Sequence, residues 1–240
     1  MTEALFLDQP QLQRVAATVV AADATGITLD QTIFYARSGG QPGDTGTLCW
    51  GDITLAVTDT IKGPAGTILH LIAEGDPLPA PGTPVDIEID WARRHQLMRM
   101  HTAMHLVCSL IKGAAVTGGA VGVEKSRLDF DLPDPPAKED LEAQLNALIT
   151  ADLPVRFEWV DEARLDEDPG LVRTMSVQPP RGTGRLRLLR IGADDLLIDL
   201  QPCGGTHVSH TGEIGPMRVI KIENKGRKNR RIIIAFAGES

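Results

Sequence analysis

Aromatic side chains are scarce in this chain of 240 residues: five phenylalanines, three tryptophans and one tyrosine make up 4% of it. Its core must therefore be built mainly from aliphatic residues. Cysteine is scarcer still. Cys49, Cys108 and Cys203 are odd in number and irregularly spaced, which argues against a disulfide framework and for a reducing compartment, the cytoplasm. No apolar run approaches the ~20 residues that span a bilayer. The opening stretch MTEALFLDQPQ carries an early acid in place of a basic leader. Positive charge is in deficit, with a net charge of −8, a poor balance for holding a polyanion. There is no internal repeat and no low-complexity tract.

What is present is a soluble, globular composition, 42% apolar and 23% charged. Residues 14–90 contain short alternating stretches rich in Val, Ile and Thr: RVAATVVAAD, GITLDQTIF, DITLAVTDTI, GTILHLIAE and TPVDIEID. Glycine and proline punctuate them, as in a small β-barrel or sandwich. The pattern changes at Asp90, a plausible N-cap, from which a helix is predicted to run toward Gly113. A second helix is predicted at roughly 137–151, followed by strands in PVRFEWVD, GRLRLLRIG and LLIDLQP. The segment GPMRVIKIENKGRKNRRIIIAFAG reads as a hairpin turning at NKGRKN. The expected organisation is α+β: a β module over residues 1–85, then an α+β domain over 86–240.

Two residue pairs carry chemistry. His101 and His105 are four apart on the first predicted helix, so both imidazoles can face one point. Cys203 and His207 are four apart in CGGTH, where Gly204 and Gly205 allow a tight turn. Three imidazoles and one thiolate suit tetrahedral Zn²⁺. Four protein ligands usually mark a closed structural site, whereas a catalytic site keeps an open position, so the spacing leaves the role open. His95, Cys108 and His210 are placed as packing residues or neighbours of the ligands. The glycine-rich FYARSGGQPGDTG at 34–46 lacks the Gly-Lys-Ser/Thr ending and following helix of a phosphate loop and reads as a loop between strands. Basic residues gather at Arg181, Arg185, Arg187 and Arg190, and again from Arg218 to Arg231; they read as solvated strand and loop faces, or as a basic surface through which an acidic chain can still bind RNA.

Taken in order, FYARSGGQPGDTG, RRHQLMRMHTAMHL and LQPCGGTHVSHTGEIG closely resemble the editing region of alanyl-tRNA synthetase. The chain resembles the stand-alone alanyl-tRNA editing proteins of the AlaX type, in the longer form with an N-terminal β domain. That resemblance covers residues 10–237 or thereabouts. It implies a translation-factor-like β-barrel followed by an editing domain of the kind shared with threonyl-tRNA synthetase. It also implies one Zn²⁺ per chain, held by His101, His105, Cys203 and His207. The activity implied is hydrolysis of tRNA(Ala) mischarged with Ser or Gly, with zinc positioning the substrate or water. A zinc-stabilised RNA-binding module without catalysis, or editing of another mischarged tRNA, are the rival readings.

Within that frame Gln41 and Thr102 are expected to be polar groups of the pocket, and the Gly204 and Gly205 amides to help stabilise the oxyanion. Gly39 and Gly40 are expected to aid discrimination. Arg93, Arg94, Lys225, Arg227, Lys228 and Arg230 are expected to meet the tRNA backbone. Neither DNA nor a membrane is an expected partner. Two positions depart from the family pattern: Arg37, where relatives often carry an acidic or small residue, and TGGAV at 117–121, where many synthetases have a Gln-Lys-Gly-Ser-like segment.

Overall fold

The computed structural model describes residues 2–174, 182 and 184–238, so Arg181 of the first basic cluster lies outside the described residues. The chain divides into two compact units, Met1–His95 and Gln96–Ser240. The division falls inside the first helix, ten residues beyond the boundary expected from sequence.

The first unit contains β1 (Glu3–Ala4), β2 (Arg14–Asp23), β3 (Gly26–Leu29), β4 (Gln31–Thr32), β5 (Gly46–Trp50), β6 (Ile53–Val57), β7 (Asp59–Lys62), β8 (Ile68–Leu71) and β9 (Pro84–Ile89). Seven of these strands form one antiparallel sheet in the order β6-β5-β9-β2-β3-β8-β7. A closed barrel is not found: among the described residues no pairing joins the edge strands β6 and β7. The physical reason is in the chain path. β6 and β7 are consecutive, separated by Thr58 alone, so the backbone itself passes from one edge to the other. At the opposite corner β2 serves both halves, with Arg14–Thr18 paired to β9 and Val19–Asp23 to β3 across a bulge. Expected strands GITLDQTIF and DITLAVTDTI each resolve into two short strands, and β5 was not anticipated, because its Gly46 and Cys49 dilute the β signal.

Aliphatic residues fill this unit as the composition requires: Ile27, Leu29, Ile33, Leu48 and Ile87 are fully buried around Phe34. His70 is buried among them. Its Nδ1 lies 2.9 Å from the Ile27 carbonyl, which can only accept, so that nitrogen carries the proton. Nε2 then accepts from Thr32 Oγ1 at 2.8 Å. Burial pushes the His70 pKa down to about 4, with the Ile27 hydrogen bond opposing it. Unfolded, His70 takes up a proton near its ordinary value of about 6.5. Its contribution to stability is therefore complete above that pH and is lost as the pH falls toward 4. Between pH 7 and 4 the chain is expected to lose roughly 3 kcal/mol more stability in urea than His70→Gln does. Parallel stability curves for the two proteins would contradict this.

The second unit takes most of α1 (Trp91–Leu110), then β10 (Ala115–Ala120), β11 (Lys125–Asp131), α2 (Lys138–Thr150), β12 (Val155–Asp161), α3 (Arg164–Glu167), β13 (Arg185–Ile191), β14 (Asp199–Pro202), β15 (Met217–Asn224) and β16 (Asn229–Phe236). Asp90 Oδ1 accepts the Arg93 amide at 3.1 Å, starting α1 as predicted. One antiparallel sheet runs β10-β11-β16-β15 and a second runs β12-β13-β14. The outer edge of β15 is covered by α2. Asn146 exchanges both side-chain bonds with the Met217 backbone, and Glu142 accepts from the Val219 amide. Strands β10 and β11 escaped the sequence reading, since Gly118 and Gly119 interrupt one and charged residues alternate through the other. The mixture of helices and sheets agrees with the α+β expectation.

Candidate metal centre

Helix α1 and the turn after β14 converge. Donor atoms of His101, His105, Cys203 and His207 all lie within 4.8 Å of one another, and three of the four residues are buried. Cys203 Sγ is 3.2 Å from His207 Nε2 and 3.8 Å from His101 Nε2. Bond lengths of about 2.0–2.3 Å to a tetrahedral Zn²⁺ imply donor-to-donor edges of roughly 3.3–3.6 Å, so the spacing suits that ion. The imidazole ring centroids are 4.3–5.3 Å apart.

Neighbouring groups fix which nitrogen faces inward. His105 Nδ1 donates to Asp199 Oδ2 at 2.8 Å, leaving Nε2 for a cation. Gln201 Nε2 in turn donates to both Asp199 oxygens at 2.7 and 2.9 Å. Thr102 donates its hydroxyl to the Met98 carbonyl and stands 3.1 Å from His207 Nδ1, whose proton it accepts. That again leaves Nε2 facing the sulfur. The donor set therefore fits a divalent cation.

Electrostatics favour the same arrangement. Burial alone would raise the Cys203 thiol, but the charge of His101 and the hydrogen bonds of His101 and His105 hold it well below its ordinary value, which favours the thiolate. Burial and the charge of His101 push His207 well below the usual imidazole range, keeping it neutral. His105 moves the other way. Burial opposes its proton, yet Asp199 and Cys203 together raise it to about 10. A cation entering the site displaces that inward proton.

The turn is held by Arg187, which sequence placed in a basic surface cluster and the structure buries. Its Nη1 donates to the Cys203 and Gly205 carbonyls at 2.8 and 2.9 Å, and its guanidinium lies 3.4 Å from the centre of the Phe157 ring. The Gly205 amide points at Cys203 Sγ, 3.4 Å away, and so serves the sulfur. Neither Gly204 nor Gly205 occupies the left-handed region, so the turn does not use the dihedral freedom expected of them. At Gly204, by contrast, nothing described lies within 4 Å of a built Cβ, and the backbone there is open.

Sequence points to none of Asp199, Gln201 and Phe157, and to Arg187 only as a surface cation. One signal was available: Asp199, Gln201 and Cys203 alternate along IDLQPC, and a strand puts alternate residues on one face. Asp199→Asn is expected to weaken zinc binding about 10- to 100-fold, as loss of a ligand's hydrogen-bond partner usually does. Competition against a chromophoric chelator measures this, and an unchanged affinity would contradict it. Thr102, expected as a pocket group, is fully buried and hydrogen-bonds His207. His95 stacks on Trp91, His210 sits by Asp152, and burial pushes Cys108 up to about 12, so none of them joins the cluster.

In the first unit the glycine-rich loop borders an open cavity of about 660 Å³ with Arg37 and Arg93 on its wall. Gly39 and Gly40 have φ of +57° and +84°, a conformation that favours glycine. Gly43 and Gly46 serve close packing, since a Cβ on either would stand 2.1 Å from a backbone oxygen. Gln41 is 1% exposed, and its backbone bonds reciprocally with Ser38. Arg37 pairs with Asp59.

One expected tRNA contact needs correction. Arg94 is fully buried; it binds Asp44 and donates to the Pro10 and Ile33 carbonyls, which spends the fork a phosphate would need. Arg230 donates to the carbonyls of Gly226, Asn229 and Pro133. The hairpin is also less basic than its composition, because Arg231 forks onto Asp129 while Lys221 and Lys225 pair with Glu223. Arg227 and Lys228 stand exposed at the turn, and Arg93 donates to the Gly43 carbonyl at 2.8 Å.

Comparison with known proteins gives a consistent picture. Residues 186–233 match the family of the threonyl and alanyl tRNA synthetase second additional domain, and residues 2–93 match class II (A) tRNA synthetases. An alanyl-tRNA editing protein AlaX-M of Methanosarcina acetivorans is 35% identical, with 97% of this chain aligned to 98% of that one. The AlaX-M protein of Saccharolobus solfataricus is 32% identical over the same shares. An alanine–tRNA ligase of Pyrobaculum arsenaticum is 35% identical over 92% of this chain, which spans about a quarter of that ligase's length (25%).

Proposed function

Because the chain belongs to the alanyl-tRNA editing proteins of the AlaX-M type, and so is an editing hydrolase, we propose that it cleaves serine, and also glycine, from mischarged tRNA(Ala). The observation that carries this reading is the convergence of three buried imidazoles and the half-buried Cys203 sulfur, with two of the imidazoles oriented by Asp199 and Thr102. Bound zinc supplies a concentrated positive charge there that polarises and positions a substrate hydroxyl, amine or water. His101, His105, Cys203 and His207 hold it, and Asp199 and Thr102 keep two of the imidazoles turned inward. With the Gly205 amide committed to Cys203, Gly204 is the position in the turn whose open backbone serves the oxyanion as the ester is attacked.

The selectivity has a simple physical basis. A synthetic site shaped for alanine rejects one extra hydroxyl poorly. An editing site that pairs with the hydroxyl rejects alanine well, since alanine leaves the pairing group unsatisfied. Arg93 beside the glycine-rich loop, with Lys225, Arg227 and Lys228 on the hairpin, are the groups assigned to tRNA phosphates. Gly39 and Gly40 are assigned to discrimination. Three free cysteines suit the reducing cytoplasm, and no helix among the described residues is long and apolar enough to cross a membrane.

The test is deacylation by purified, zinc-loaded protein of seryl-, glycyl- and alanyl-tRNA(Ala), with seryl-tRNA(Thr) alongside. The expected result is loss of serine and glycine from tRNA(Ala) with alanine spared. Intact seryl-tRNA(Ala) would overturn the reading in favour of an RNA-binding module. Faster release from the other tRNA would reassign the substrate.

A further inference from the structure

The sheet β12-β13-β14 presents a face that starts at the metal centre and ends in solvent. On a strand, residues two apart share a face, which puts Phe157 and Trp159 together on β12 and Arg185 and Arg187 together on β13. The two strands pair antiparallel with Trp159 opposite Arg187 and Asp161 opposite Arg185. At the inner end the Phe157 ring lies 6.0 Å from the His207 ring and is covered by the Arg187 guanidinium. At the outer end the Arg185 guanidinium lies 4.3 Å from the centre of the Trp159 ring, and both residues are exposed. Trp159 is 36% exposed, an uncommon place for one of only nine aromatic rings in the chain.

We propose that Trp159 and Arg185 form a stacking platform for the unpaired 3′ end of the tRNA whose esterified terminus lies at the metal centre. The inference rests on the editing function proposed above and adds to it the residues that grip the strand. Three properties point to a single-stranded nucleic acid. An indole stacks with any base, and the Arg185 guanidinium lying over the Trp159 ring adds a cation for phosphate and a second plane on which a base can stack. Asp161, opposite Arg185, is partly engaged, since its Oδ1 accepts the Ala163 amide at 2.8 Å. The distance also fits. A strand rises about 3.3 Å per residue, so Trp159 stands about 7 Å beyond Phe157. The platform is thus at most about 13 Å from His207, a span within the reach of about four stacked nucleotides at about 3.4 Å each.

The test uses zinc-loaded full-length protein and a fluorescein-labelled acceptor minihelix of tRNA(Ala), made with its unpaired 3′ nucleotides or trimmed blunt. The native protein is expected to prefer the overhanging form. Trp159→Ala is expected to weaken binding of that form about 5- to 150-fold while hardly changing the blunt form, with Trp159→Phe retaining most of the affinity. Arg185→Glu acts in the same direction and guards against a folding defect in the tryptophan variant. With seryl-tRNA(Ala) as substrate the loss falls mainly on KM. Native protein indifferent to the overhang, or variants that keep its preference, would overturn the platform. Failure of native protein to deacylate seryl-tRNA(Ala) would instead remove the editing reading, and the minihelix comparison would still decide the platform.

Discussion

Cys203→Ala is expected to purify with less than about one-tenth of the native zinc after dialysis against a weak chelator, and to lose deacylation to the background rate. The binding free energy of a four-ligand zinc site is about 10–16 kcal/mol. Removing one ligand forfeits roughly a quarter of it, or ~10²–10³-fold in affinity. The loss here should lie toward the upper end. Cys203 is the sole thiolate of the group, and the charges of its neighbours already favour its ionised form. Its removal also frees the Gly205 amide that points at the sulfur, so the turn loosens as the ligand disappears. Zinc content and deacylation rate, measured on one preparation, check this. A variant that keeps a full equivalent of zinc would show that the sulfur is not a ligand.

Asp44→Asn is expected to cost the first unit about 3–5 kcal/mol, the usual penalty for leaving one partner of a buried ion pair uncompensated. Arg94 has no access to solvent, and Asp44 has almost none. Asp44 faces Arg94 Nε at 2.9 and 3.0 Å and also accepts the Tyr35 amide at 2.6 Å. A neutral amide leaves the guanidinium charge buried without its counterion. Domains are stable by only about 5–15 kcal/mol, so this unit should unfold in urea well before the native protein does. Asp44→Asn combined with Arg94→Met should recover much of the loss, because two apolar or neutral partners strand no charge. An unchanged urea midpoint in the single variant would contradict the account.

The candidate metal centre was legible because its spacing is local. Each pair lies within one helical turn or one tight turn, and four residues of separation can be read directly. What orients the ligands was not legible. Asp199 is 94 residues from His105 and Thr102 is 105 from His207, so those contacts exist only once β14 is laid beside α1. Charge misled for the same reason. Arg94, Arg187 and Arg231 are cations in sequence, but each is consumed by a carboxylate or carbonyl brought from 16 to 102 residues away. The alternation of Val, Ile and Thr gave most strands of the first unit. It did not show how they join, because a sheet whose two edges are one bent strand has the same local pattern as a closed barrel.

Zinc K-edge absorption on the purified protein tests the central claim most directly. One sulfur at about 2.3 Å and three nitrogens at about 2.0–2.1 Å are predicted, with one ion per chain. A shell of nitrogen and oxygen alone, or protein that holds no metal when prepared with zinc present, would contradict it.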